Sequence, residues 1–253
     1  MIDSHIHLYQ YDDIEKRINH WQEEGVERVV AVSNDLKSSY ETLELKQKYP
    51  QFIYAGVGYH PEQKPMIEKE MHELSELIQT EKKHISLIGE VGLPYYTLHT
   101  LTENEQRQHM EQLQWWCEIA KLESLPLVLH AVHSQAEQAL TILKQTPELK
   151  AHFHWLKAKR PVVEEIVTAG HYISFTPEIC YRERDQILAQ FVPLSQLLIE
   201  TDGPWPYNGP FEHIETTPLL LVHIIQMLAE IKHEVKSKIF VETTENAKHL
   251  FGN

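Results

Sequence analysis

Short apolar runs alternate with longer amphipathic ones along the whole chain, and this alternation limits the possible folds more than any other feature. The apolar runs are Met1–His7, Arg28–Ser33, Phe52–Gly58, Ile85–Glu90, Leu127–His130, Ala151–His154, His171–Phe175 and Leu197–Thr201. Helical patterns fall near Asp12–Glu24, Asp35–Lys48, Pro61–Thr80, Glu103–Glu123, Ser134–Gln145, Pro161–Ala169 and Tyr181–Phe191, and Thr217–Ile231 and Val235–Leu250 close the chain. Gly25 and Gly170 follow helical runs as stop signals. Strands alternating with helices imply βαβ units and a parallel sheet. Eight of them in 253 residues have the count and size of a (β/α)8 TIM barrel. The rival, an open doubly wound sheet, would usually carry a Gly-rich phosphate loop after its first strand, where Leu8-Tyr9-Gln10-Tyr11 stands instead. No linker, low-complexity segment or internal repeat divides the chain, so residues 1–253 read as one domain.

A barrel of this kind carries its chemistry at the C-terminal ends of its strands. The first strand, Ile2-Asp3-Ser4-His5-Ile6-His7-Leu8, alternates so that Asp3, His5 and His7 share one face and Ile2, Ile6 and Leu8 the other. Later strands run into His60, Glu90, His130, His154 and Asp202, so six of the eight finish in His, Glu or Asp. Any one of these could be an ordinary cap or ion-pair partner, but their recurrence at one end of a repeating unit points to a shared site. His5, His7, His130, His154, Glu90 and Asp202 form a candidate metal-ligand set. Imidazole with carboxylate suits Zn, Mn, Co, Ni or Fe, whereas Mg usually takes mostly oxygen. Six ligands exceed what one tetrahedral zinc needs, and two divalent cations sharing a bridging carboxylate would use them. Asp202 is then both ligand and proton acceptor from an attacking water. His152 points to the same side as His154 but one layer deeper, and reads as a packed or hydrogen-bonded interior residue. Asp3 reads as a hydrogen-bonding neighbour outside a full ligand set. His99, His109 and His133, on or beside helices, read as solvated.

The formal charge is −14, from 23 Lys and Arg against 37 Asp and Glu. That balance argues against broad, sequence-independent binding to a phosphate backbone. Bound cations can still invert the charge of a small site. No apolar run is long enough to cross a membrane, and no basic segment followed by an apolar stretch opens the chain. Cys117 and Cys180 lie far apart and outside any metal or redox motif. Free thiols in a reducing cytoplasm are the expectation.

With these residues in hand, the chain resembles the TatD family of metal-dependent hydrolases from end to end. The likeness is carried by Ile2-Asp3-Ser4-His5-Ile6-His7-Leu8, Gly58-Tyr59-His60-Pro61, Ile88-Gly89-Glu90-Val91-Gly92-Leu93, Leu125-Pro126-Leu127-Val128-Leu129-His130, Leu198-Ile199-Glu200-Thr201-Asp202, and the tail Thr244-Glu245-Asn246-Ala247-Lys248-His249-Leu250-Phe251-Gly252. The resemblance implies one metal on His5, His7, Glu90 and Asp202, and a second on Glu90, His130 and His154, with Glu90 as bridge. The family's spacing from ligand histidine to helix-ending glycine matches His154 to Gly170. Many members resemble 3′–5′ deoxyribonucleases that use magnesium or manganese. Three departures stand out: Pro94 where the family often has aspartate, Val132 where it often has arginine, and His154-Trp155-Leu156-Lys157-Ala158 in place of a His-Cys-Phe-Ser-Gly-like loop. Loss of an arginine that could grip a phosphate weakens the nuclease expectation.

Position and resemblance make His60 a candidate for holding substrate and Glu200 for orienting water. Trp205 and Tyr207 either stack on a base or pack in a Pro-rich loop. The leading expectation is hydrolysis of a phosphodiester at a nucleic-acid end or in a small molecule. The alternatives are amide, lactone or ester hydrolysis at the same metals, and a non-catalytic barrel that binds a partner protein. No obligate protein partner is evident.

Overall fold

The computed structural model describes residues 1–252. Eight parallel strands follow one another in chain order: β1 (Ile2–Ile6), β2 (Arg28–Ala31), β3 (Ile53–Val57), β4 (Leu87–Gly92), β5 (Leu127–His130), β6 (Ala151–Phe153), β7 (Tyr172–Phe175) and β8 (Leu197–Ile199). Closure comes just past β8, where Asp202 N donates to His5 O at 2.9 Å and His7 N to Gly203 O at 2.8 Å. The sheet is therefore a (β/α)8 TIM barrel. Its helices are α1 (Ile14–Glu23), α2 (Leu36–Lys48), α3 (Glu68–Glu81), α4 (Glu103–Glu123), α5 (Ser134–Leu143), α6 (Arg160–Thr168), α7 (Glu183–Phe191), α8 (Leu221–Lys232) and α9 (Lys236–Phe251). No helix among the described residues is long and apolar enough to cross a membrane.

Local chemistry explains where helices start. Thr102 and Glu105 cap α4 reciprocally: Glu105 N donates to Thr102 Oγ1, and Thr102 N donates to the Glu105 carboxylate at 2.8 Å. Asp35 caps α2 by accepting from Ser38 N at 2.8 Å. The helix expected from Pro61 begins only at Glu68. Pro65 disfavours helical backbone at Lys64 and lacks an N–H, so residues 61–67 stay a loop.

Two apolar layers form. The larger lies between the outer face of the sheet and the helices. The smaller fills the N-terminal end of the barrel, where Ile2, Val30, Tyr54, Leu87, Val128 and Leu198 meet Ala247, Leu250 and Phe251 from the last turns of α9. Burying a side chain such as Phe251, fully enclosed here, contributes about 1.5–3 kcal/mol.

Two register shifts decide which side chains face inward. Pairing of β1 with β2 goes from Asp3–Val29 to Ile6–Ala31, three steps against two. Pairing of β4 with β5 goes from Ile88–Leu127 to Val91–Leu129, again three against two. Such bulges re-aim side chains without ending a strand. Strict alternation sets Ile2 with Ile6 and Leu8, opposite His5 and His7. The structure corrects this: Ile2 joins the interior cluster, while Ile6 and Leu8 pack outside. The bulge lets Ile2 and His5 both point inward from one strand, as Leu87 and Glu90 do from β4.

Candidate active site

At the C-terminal end of the barrel the strand-end residues surround a cavity of about 620 Å³. His7, His60, Glu90, His130, His154 and Asp202 reach its wall. Glu90 stands at the centre, fully buried, and its two oxygens face different partners. Oε1 lies 2.8 Å from His154 Nε2, 3.0 Å from His130 Nδ1 and 3.4 Å from His60 Nε2. Oε2 lies 3.3 Å from His5 Nε2 and 3.5 Å from His7 Nε2. Asp202 closes the second group, with Oδ1 at 3.4 Å from His5 Nε2 and 3.3 Å from His7 Nε2. The rings of His5 and His154 stack at 3.9 Å.

Glycine and strained backbone make this approach possible. Gly92 has φ of +152°, and a side chain there would overlap the His130 carbonyl, so β4 and β5 converge only because it is glycine. Asp202 has φ of 49°. That left-handed conformation is uncommon for a non-glycine residue and is typical of functional sites.

The electrostatics are those of acids and imidazoles held too close for water to intervene. Burial opposes ionisation of Glu90, but His60, His154 and His5 hold its carboxyl well below the ordinary range. Asp202 is likewise buried, and the close imidazoles of His5 and His7 hold it low. Burial works against protonating His130, yet contacts with Glu62 and Glu90 raise it to about 9. Against the same burial, His5 is raised by Glu90 and Asp202 and His154 by Glu90 and Glu200, whereas burial wins at His60 and lowers it. Several buried atoms have no hydrogen-bond partner: both nitrogens of His5, Nδ1 of His7 and His154, and Oε2 of Glu90. Orphaned polar atoms of this kind are costly in a protein interior. A divalent cation held here would take the lone pairs of His5 Nε2 and Glu90 Oε2, with the imidazole in its neutral form. Ligand atoms close enough to share one ion occur in the triads His5–His7–Glu90, His5–His154–Asp202 and His60–Glu90–His130. The donor set therefore fits metal.

All six expected ligands converge, and His60 stands among them, its Nε2 3.4 Å from Glu90 Oε1. Glu200 is where the expectation of water orientation does not fit. It is fully buried and absent from the cavity wall, with Oε1 accepting from Trp155 N at 2.7 Å and Oε2 from Ser174 Oγ at 2.7 Å. Its Oε1 also lies 3.5 Å from His154 Nδ1, so it backs that ring. His152 sits deeper, its Nε2 2.6 Å from Ser174 Oγ and its ring beside Phe251. Burial holds its pKa well below the usual histidine range. Asp3 accepts from Thr201 N at 2.9 Å and from Thr201 Oγ1, tying β1 to the end of β8. Trp205 and Tyr207 separate: Trp205 is 57% exposed at the cavity mouth, while Tyr207 is buried and donates to Thr201 O at 2.7 Å. His109, expected in solvent, is buried on α4, on the helical face of Leu113, Trp116 and Cys117.

Sequence reasoning missed Glu62. Its carboxylate accepts from the backbone N–H of Tyr95, Tyr96 and Thr97 at 2.7, 3.0 and 2.7 Å. It also lies 3.1 Å from His130 Nε2. The residue thus pins the loop after β4 to the one after β3 and orients a candidate ligand. An acid two positions past His60, in the loop after β3, was the available signal.

Comparison with known proteins finds relatives along the whole chain. A family model described as TatD related DNase matches residues 2–252. A metal-dependent hydrolase of Haemophilus influenzae is 36% identical over 251 residues, covering 97% of this chain and 98% of that one. The 3′-5′ ssDNA/RNA exonuclease TatD of Erwinia tasmaniensis is 28% identical, covering 94% of this chain and 93% of that one. Among solved structures, the TatD homologue YjjV of Escherichia coli superposes with a TM-score of 0.84 at 22% identity, over 100% of this chain and 98% of that one.

Proposed function

The chain belongs to the TatD family of metal-dependent hydrolases, and from that premise we propose that it cleaves phosphodiester bonds at the end of a single-stranded nucleic acid. The observation that carries the reading is the division around Glu90, one oxygen toward His60, His130 and His154, the other toward His5 and His7. One carboxylate between two imidazole groups is the arrangement that two cations share. In this reading His5, His7, Glu90 and Asp202 hold one ion, and Glu90, His130 and His154 the other. When bound, such ions polarise a phosphoryl oxygen and acidify water. The donors, imidazole with carboxylate, support Mn, Zn, Co or Ni over Mg.

The protein's own residues do the rest. Asp202, ionised and at the cavity wall, accepts the proton of the attacking water. Glu200 and Glu62 hold the rings of His154 and His130 from behind. His60, partly exposed beside Glu90, faces the leaving oxygen or the attacked group. A cavity of 620 Å³ is within the roughly 300–1,000 Å³ that takes one compact ligand, which admits a terminal nucleotide and excludes a duplex. The exonuclease activity named for the Erwinia relative supports the same substrate class. One free thiol, Cys117, is buried and Cys180 half-buried, which suits a reducing compartment such as the cytoplasm.

A second reading has its own support. The cavity wall carries Val132, Trp155, Pro204, Trp205 and Pro206, and only one Lys or Arg. That lining also suits a compact ester or lactone. Assays of the metal-loaded protein on single-stranded DNA, bis(p-nitrophenyl) phosphate and p-nitrophenyl acetate decide between them. Release of mononucleotides from DNA is the expected result. Ester cleavage with intact DNA would favour the second reading and overturn the first.

A further inference from the structure

One wall of the cavity holds a lysine for which the hydrolytic residues give no use. Lys157 follows β6 and is the only Lys or Arg that lines the cavity. It is 9% exposed, so its charge is largely withdrawn from water. Buried charges are ordinarily paired with an opposite charge. Among the described residues no carboxylate lies within 4.0 Å of its Nζ, although Glu62, Glu90 and Asp202 share the cavity. The neighbouring acid Asp185 is taken by Arg184, at 2.7 and 2.9 Å.

What Lys157 has instead is a mount. Its Nζ lies 3.9 Å from the centroid of the Trp155 ring and donates to Tyr96 Oη at 3.1 Å. Trp155 is itself fixed, with its indole N–H on Glu178 Oε2 at 3.0 Å and its backbone N–H on Glu200 Oε1 at 2.7 Å. The Lys157 carbonyl accepts from His133 N, which fastens the loop after β6 to the loop after β5. An ammonium has three donors, and Tyr96 takes one of them. A charge held over an aromatic face, with donors to spare and no carboxylate within 4.0 Å, is preorganised for an anion.

We propose that Lys157, on its Trp155–Tyr96 mount, is the specificity-determining cation that binds a phosphate of the substrate other than the one being cleaved. The identity of the anion rests on the phosphodiesterase reading above. Lys157 makes no hydrogen bond or ion pair with the metal-ligand residues, and the phosphate assigned to it is the one next to the scissile phosphate. Trp205, which meets Trp155 at 6.1 Å, offers its exposed face to the intervening base. The enzyme then prefers substrates with a second phosphate over those with only the scissile one.

Two measurements test this. In the first, protein stripped of metal is titrated with thymidine 5′-monophosphate and with thymidine, reading tryptophan fluorescence. Wild type is expected to bind the monophosphate on the order of 10-fold more tightly, as one charge-assisted hydrogen bond supplies. Lys157→Met, which keeps the aliphatic stem, abolishes the difference, and Lys157→Arg restores most of it. A thermal melt confirms that each variant is folded. Equal binding of the two ligands by wild type, or a difference that survives in Lys157→Met, overturns the assignment. In the second, metal-loaded enzyme is given d(TpT) and the same dinucleotide with a terminal phosphate. The expected preference for the phosphorylated form collapses toward 1 in Lys157→Met. If wild type cleaves neither yet still discriminates the monophosphate through Lys157, the phosphodiesterase reading fails and the anion site stands. If it cleaves both with a preference unaltered in Lys157→Met, the anion site fails and the phosphodiesterase reading stands.

Discussion

The two ends of the barrel are built from the same strands and filled with opposite materials. At the N-terminal end Ile2, Val30, Leu87, Val128 and Leu198 close around Leu250 and Phe251, and the interior is apolar. At the C-terminal end the interior holds histidines and carboxylates, several with unsatisfied buried atoms. Strain is divided in the same way. His133, Trp155 and Asp202, in loops that follow β5, β6 and β8, all have positive φ. Near the floor, positive φ occurs in the Ser124 and His233 helix caps, where it ends a helix. One end thus stores stability and the other stores charge held ready for ions and substrate. Substitutions at the two ends should separate activity from stability.

The largest effect is expected at the mouth. Asp202→Asn should lower kcat about 10²–10⁴-fold, the range for loss of a proton acceptor, with the melting temperature of the metal-free protein little changed. Steady-state kinetics beside a thermal melt check both halves, and an active variant would remove Asp202 from the site. At the floor the pattern reverses. Phe251→Ala should cost about 3–5 kcal/mol in urea unfolding while the folded fraction keeps its kcat. A large fall in kcat at full folding would mean that the two ends are not separable.

A smaller effect concerns pH. His171, at the start of β7, is buried with Nδ1 unpartnered, and burial together with Lys150 lowers it to about 4. Its ordinary value is about 6.5, so on acidification the unfolded chain takes this proton first. Native stability is therefore whole above pH 6.5 and falls as pH drops toward 4, by about 2–3 kcal/mol from this group. His171→Phe should flatten that part of the profile. Urea midpoints at pH 7 and pH 5 measure it, and an unchanged slope would refute the assignment.

The sequence was most legible where one element decided the outcome. Each of His130, His154 and Asp202 stands at or just after the end of its own strand, so the barrel topology alone brings them together. Contacts between elements were less legible. Glu62 acquires its role from backbone more than 30 residues away, at Tyr95 to Thr97. The inward turn of both Ile2 and His5 needs a bulge that no local pattern announces. Trp205 and Tyr207 look alike in a Pro-rich loop, and only the buried bond from Tyr207 to Thr201 O tells them apart. His109 is different, since its helical spacing to Leu113 and Trp116 already put it on the buried face.

The claim at the centre of this account is that Glu90 is shared between two cations. Crystals soaked in manganese and measured for anomalous scattering test it directly. Two peaks are expected, one beside His5, His7 and Asp202 and one beside His130 and His154, about 3.5–4 Å apart with Glu90 between them. A single peak, or two peaks that leave Glu90 uncoordinated, would contradict it.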